Sequence, residues 1–236
     1  VSATAFSAQS ERSRPTLSER LRESVLSLWQ RQFEHPFVVA LGNGSLPRAN
    51  FAFYIRQDAL FLDVLAKAFA WAVTKTDDHD EMEQFGKYAL DTLLVEASLH
   101  RRYGERFGLT PAEMAATRMA PTNYAYTRHL LGVVTTGTLP EMLTVVLPCA
   151  WVYAEIGQQL VKDGLPPDDH PYADWLATYA SPNFDAVEIW LRERLDTYAD
   201  SLRPTEEARL YEIFRVSTNY EWLFWDMAWR LEEWPL

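Results

Sequence analysis

TLPEMLTVVLPCAWVYAEIGQQL, residues 138–160, has no polar face over most of its length. Thr138 and Glu141 stand at capping-box spacing and Pro140 falls in the first turn, so a helix starts here. Met142, Leu143, Val145, Val146, Leu147, Trp151 and Val152 then cover nearly every side. A helix that is apolar all round belongs in the middle of a fold. Pro148 lies inside it, removes an amide donor and crowds the carbonyl of Thr144, which predicts a bend. Next to the bend is Cys149, the single cysteine of the chain.

A lone cysteine is ordinarily a small buried hydrophobe with an inert thiol. A nucleophilic role requires polar partners on the same pocket, and the remainder of the chain must supply them.

Bulk composition narrows the classes. The 236 residues are 48% hydrophobic and 14% aromatic, enough for a packed core and a flat-walled cavity. A formal charge of −11 argues against nucleic acid and offers no polybasic patch for a membrane. One cysteine excludes an intrachain disulfide and a CxxC zinc site, and fits a reducing, cytoplasmic setting. No stretch reads as uninterrupted apolar sequence of bilayer length. Residues 1–15, VSATAFSAQSERSRP, read as a flexible N-terminal segment, with a trimmed transit peptide as the other reading. Residues 16–236 read as one all-α domain.

Around the central helix, turn and cap signals divide the chain. Thr16 and Glu19 open a helix expected to reach about His35. GNGSLP at 42–47 is a turn. A long helix is expected from about Arg48 to Thr76, and another after the polar break TDDHDE to about Phe107, with Phe85, Tyr88, Ala89, Leu93 and Ala97 inward. Thr110, Pro111 and Glu113 start a short helix, and Pro121 starts the next. After the loop at 165–171, a helix covers Tyr172 to Tyr179, Asp185 and Glu188 cap another to about Asp200, and Pro204 begins the last, ending near Glu233. Sustained period-two alternation is absent, so the fold class is all-α, a helical bundle.

Two carboxylates interrupt inward faces. Asp58 shares its stripe with Tyr54, Phe61 and Leu65; Glu221 shares one with Phe214, Thr218 and Trp225. A buried carboxylate is either ion-paired or carries a shifted pKa. With Cys149, these could converge on one pocket, and Tyr126, Tyr153, Tyr179 and Tyr220 are available to line it. The histidines say less. Glu96 and His100 are one turn apart, but the di-iron pattern wants Glu-x-x-His twice. His35 beside Pro36 suits a helix end, and His170 sits in a loop. No GxSxG, P-loop, GxGxxG or HExxH occurs.

Several segments together carry a resemblance: FAFYIRQDALFL around Asp58, PTNYAYTRHL around Tyr126, LPCAWVYAEIG around Cys149, HPYADWLATYAS around Tyr179 and STNYEWLFWDMAW around Glu221. From about Leu17 onward the chain resembles the TenA-like thiaminase II family, of the haem-oxygenase-like all-α fold, in its cysteine-containing branch. The resemblance implies hydrolysis of thiamine, or of 5-aminomethyl-2-methyl-4-aminopyrimidine in thiamine salvage, to 4-amino-5-hydroxymethyl-2-methylpyrimidine. It implies Cys149 as nucleophile, Glu221 as acid at the ring nitrogen, Asp58 on the 4-amino group, and Tyr126 and Tyr179 lining the pocket. It also implies a homotetramer, with no metal and no cofactor. Where many members have tyrosine, this chain has Phe61, which keeps a stacking surface and lacks the hydroxyl that would orient Glu221. Two alternative readings stand beside it: a haem-oxygenase-like metal-dependent oxidase, given the shared fold, and a non-catalytic pyrimidine-binding protein.

Overall fold

A computed structural model describes residues 14–108 and 110–235, with the side chains at 95–101, 105 and 111 outside the description. The N-terminal residues 1–13, most of the segment expected to be flexible, also lie outside it. Among the described residues there are eleven α-helices, one short 3-10 turn and no strand.

The central helix is α8, Leu139–Leu160. Its capping box forms as the spacing predicts, with Thr138 N–H donating to Glu141 Oε2 at 2.7 Å. It runs unbroken through Pro148. Leu143, Val145, Leu147, Val152 and Ile156 are fully buried, each contributing about 1.5–3 kcal/mol of burial. It packs against α2 (Leu26–Phe33), α4 (Arg48–Val73), α7 (Pro121–Thr136), α9 (Ala173–Tyr179), α10 (Pro182–Asp196) and α11 (Pro204–Arg230). One sequence expectation needs correcting here. By length and composition α8 could span a bilayer, with a mean hydropathy of 1.3, but 78% of that window is buried inside the fold. Its apolar surface is already covered by protein.

Other differences have local causes. The expected first helix is two, α1 (Leu17–Ser24) and α2. Ser24 Oγ donates to the Leu21 carbonyl at 2.6 Å, where the Val25 amide would have bonded. Val25 N–H turns instead to Arg22 O at 3.2 Å, and the helix breaks. A helix not expected from the sequence, α3 (Pro36–Gly42), follows, with the His35 ring as its cap: Nδ1 accepts from Phe37 N–H at 3.1 Å. The helix α10 begins at Ser181, whose Oγ caps Phe184 N–H, so Asp185 and Glu188 lie inside it. It ends at Asp196 rather than Asp200, and α11 ends at Arg230, where Leu231 turns left-handed. In the loop before α9, His170 is half-buried, Nδ1 accepting from Tyr172 N–H at 3.2 Å and Nε2 facing Gly42 O at 3.3 Å.

The longest partnership is between α4 and α5 (His79–Phe107), joined across the polar break. Phe85 and Tyr88 are inward as expected, whereas Leu93 is exposed. At that level Thr92 takes the inward place, and Leu93 lies about 100° round the helix. Ala97, Glu96 and His100 fall among the side chains outside the description. A short helix, α6 (Pro111–Ala116), links α5 to α7, opened by the Thr110–Glu113 box.

Gly157 lets α8 and α9 meet. A Cβ there would stand 2.4 Å from the backbone C and O of Tyr179, a contact that backbone cannot yield cheaply. Gly157→Ala is therefore expected to lower stability by roughly 1–3 kcal/mol, read as a fall of several degrees in Tm; an unchanged Tm would show that the helices part without cost.

Candidate active site

Asp58, Phe61, Tyr126, Cys149, Tyr179 and Glu221 line one cavity of about 780 Å³. They arrive from five helices. Asp58 and Phe61 come from α4, Tyr126 from α7, Cys149 from α8, Tyr179 from α9 and Glu221 from α11. All six residues proposed from the sequence are thus brought to the same hollow. Cys149 is half-buried between the buried Pro148 and Ala150, so what exposure it has is toward the cavity it lines.

Glu221 is buried, at 2% exposure. The Tyr126 hydroxyl donates to its Oε1. Burial raises the carboxyl pKa to about 8; the Tyr126 hydrogen bond pulls it down and the charge of Asp58 pushes it up, and burial wins. At neutral pH Glu221 is therefore largely a neutral acid. The Tyr126 hydroxyl is itself pushed far upward, first by burial, then by the neighbouring Glu221 and Cys149. It keeps its proton and remains a donor.

Aromatic packing holds this pair in place. The Tyr126 ring lies between Phe61, at 4.9 Å and 33°, and Tyr220, at 5.0 Å and 9°. Phe61 also meets Phe224 at 5.7 Å. The hydroxyl missing from Phe61 is thus no obstacle to orienting Glu221, because Tyr126 does so from α7. One turn back on α11, Ser217 Oγ is 3.0 Å from His129 Nε2, a second tie between α7 and α11. Tyr220 stacks behind Tyr126 rather than lining the cavity.

On the opposite wall, Tyr153 from α8 lines the cavity beside Tyr179, their rings 5.0 Å apart. The Tyr153 ring rests on Trp225 at 4.8 Å, and its hydroxyl is 3.4 Å from that of Tyr54. Trp175 Nε1 donates to the same Tyr54 oxygen at 3.4 Å. Tyr54 has no place in the sequence reading of the site beyond its share in the Asp58 stripe, one turn before Asp58. Phe224, three residues after Glu221, is a wall residue that the same spacing argument would have found.

A neutral acid, a thiol and a second carboxyl stand around a hollow with flat walls. This set can protonate a heteroaromatic nitrogen, add sulfur to a ring carbon and hold an exocyclic amine. The same residues sit in the segments that carry the family likeness. Among the described residues no group of three or more His, Cys, Asp or Glu stands as a metal-binding cluster.

Comparison with known proteins agrees with that likeness. A protein of Halalkalibacterium halodurans named aminopyrimidine aminohydrolase is 39% identical over 216 residues, spanning 91% of this chain and 96% of its own length. The solved TenA homologue from P. horikoshii matches with a TM-score of 0.82 at 32% identity, over 92% of this chain and 99% of that one. A Shewanella denitrificans domain with a haem-oxygenase-like fold matches at a TM-score of 0.70 and 15% identity, over 90% and 91%, and speaks to the fold alone. The family model for TENA/THI-4/PQQC proteins matches residues 22–231, and the chain belongs to that family.

Proposed function

We propose that this chain is an aminopyrimidine aminohydrolase, cleaving the bond between a pyrimidine-borne methylene and a nitrogen leaving group in thiamine-related compounds. The observation that carries the reading is the meeting of Cys149, Asp58 and a protonated Glu221 on one aromatic-walled cavity. The aminopyrimidine aminohydrolase name of the Halalkalibacterium halodurans relative supports it.

The chemistry follows from the ring. A pyrimidine resists nucleophilic addition until one nitrogen is protonated. Glu221 supplies that proton at neutral pH because burial has kept it. The Cys149 thiolate then adds to the adjacent ring carbon, forming a C–S bond and interrupting aromaticity. The ring electrons expel the group on the exocyclic methylene: the C–N bond breaks, its pair leaves with nitrogen, and the amine departs. Water adds to the methylene, and the proton it loses passes to the departing amine, or to solvent when the leaving nitrogen belongs to a neutral heteroaromatic ring. The C–S bond then breaks, the thiolate leaves, aromaticity returns and Glu221 recovers its proton from the ring nitrogen. The net change is C–N plus water to C–OH plus amine.

Asp58 accepts from the 4-amino group, a charge-assisted hydrogen bond that fixes which ring nitrogen faces Glu221. Phe61, Tyr126 and Tyr179 hold the flat ring. No metal or organic cofactor enters this route. The role fits thiamine salvage in the cytoplasm, by a homotetramer whose catalytic domain is residues 16–236.

Cys149→Ser is expected to lower kcat by at least about a thousandfold while the hydroxymethyl product still binds within a few-fold of the wild-type Kd. Near wild-type turnover would remove the nucleophile from the scheme, and tight product binding with no wild-type turnover would make the chain a binder.

The pH profile has a defined sign. Activity requires the protonated form of Glu221, so kcat/KM should fall with an alkaline limb near pH 8. Tyr126→Phe removes the hydrogen bond that favours the carboxylate, so the limb should move to higher pH even as kcat drops. A limb that stays put or moves down would separate it from Glu221.

A further inference from the structure

The contact between α4 and α7 carries three of the site residues, and it is pinned by two buried amides that do not line the cavity. Gln57 precedes Asp58 on α4, and Asn123 lies three residues before Tyr126 on α7. Asn123 is fully buried and Gln57 is 3% exposed. Asn123 Nδ2 donates to the Gln57 carbonyl at 2.7 Å and to Gln57 Oε1 at 3.0 Å. The same Oε1 accepts from Ala120 N–H at 2.9 Å, and Gln57 Nε2 donates to the Arg118 carbonyl at 2.9 Å. One turn further on, Phe61 of α4 meets Tyr126 of α7, their rings 4.9 Å apart. The amide pair and the ring pair are successive rungs of one contact, about 6 Å apart along α4.

The two rungs fix different things. Stacked rings slide over one another at little cost, whereas a hydrogen bond weakens steeply once it is stretched or bent. A displaced amide in a buried place also has no water to turn to. Among the described residues Asn123 Oδ1 meets no hydrogen-bond partner, so the polar bonds of this side chain all run to Gln57. The start of α7 has no side-chain cap of its own, because its N-cap is Ala120. It is held from outside, by Gln57 on Ala120 N–H and by Glu232 Oε2 on Thr122 N–H at 2.9 Å. From that held start Tyr126 must reach Glu221 with its hydroxyl, a bond that does not tolerate the slide a stack allows.

We propose that Asn123, anchored on Gln57, is a positioning residue for the Tyr126–Glu221 pair: the clamp sets how far α7 sits along α4, and so where the Tyr126 hydroxyl meets the acid. The inference rests on the hydrolase reading for its effect on turnover. Its effect on Glu221 is open to observation in the ligand-free protein.

The test is a double-mutant cycle read at the Glu221 carboxyl. Asn123→Leu, close in shape, removes both donors and leaves Gln57 Oε1 its bond from Ala120. The Tyr126 hydrogen bond favours the carboxylate, so loosening it favours the acid. Asp58 of α4 and Cys149 and Tyr153 of α8 border the same cavity, and every variant leaves them in place. Infrared titration of the Glu221 carbonyl stretch should therefore show the midpoint of Asn123→Leu raised by at least about half a pH unit. Adding Asn123→Leu to Tyr126→Phe should raise it no further, because the bond being positioned is already gone. On an aminopyrimidine, Asn123→Leu should lower kcat/KM by at least about tenfold, the scale set by small misplacements of reacting groups. Gln57→Met cuts the same clamp from α4 and should give the same rise. An unmoved midpoint, or an equal rise with and without the Tyr126 hydroxyl, overturns the proposal. Loss of folded protein in both Asn123→Leu and Gln57→Met also overturns it, assigning the clamp to stability. Wild-type protein that hydrolyses no aminopyrimidine overturns the hydrolase reading, and the infrared cycle still decides the clamp.

Discussion

A carboxyl group shut away from water keeps its proton, and the site is arranged around that constraint at Glu221. Burial raises its pKa to about 8, because the carboxylate form would lose its water. One hydroxyl, that of Tyr126, opposes it without reversing it. For that contact to exist, α7 and α11 must face each other closely, and the Ser217–His129 bond and the Tyr126–Tyr220 stack both serve that approach. The acid is thus made by packing as much as by its own chemistry.

The central helix gives the site its other half. Because α8 is covered on nearly every side, Cys149 has a single outlet, the cavity. Four residues on, Tyr153 borders the same hollow, and a further turn along Gly157 lets α9 press close enough to bring in Tyr179. Helix α4 supplies one wall: Asp58, Phe61, Leu65 and Phe69, on the same stripe, all line the cavity. The helical repeat places these side chains in line.

Much of this was readable in the sequence because the decisive residues break a pattern. Asp58 and Glu221 are charges on apolar stripes, and Cys149 sits next to a proline inside an apolar helix; such exceptions stand out one helix at a time. What was not readable depends on partners distant in sequence. The break at Val25 turns on which group reaches the Leu21 carbonyl first, a competition that spacing does not express. Leu93 has the right period to face inward, but Thr92 occupies the inward place against the cavity. Likewise α8 has the composition of a bilayer span, and only the surrounding helices show where its apolar surface goes. Tyr54 acquires a place near the site through Tyr153 and Trp175, from two other helices.

The protonation state of Glu221 is open to direct observation by infrared spectroscopy of the ligand-free protein. The carbonyl stretch of a buried, protonated carboxyl should persist through neutral pH, titrate near pH 8 and be absent from Glu221→Gln. A wild-type spectrum with no such band above about pH 6, more than a unit past an ordinary glutamate, would contradict the account at its centre.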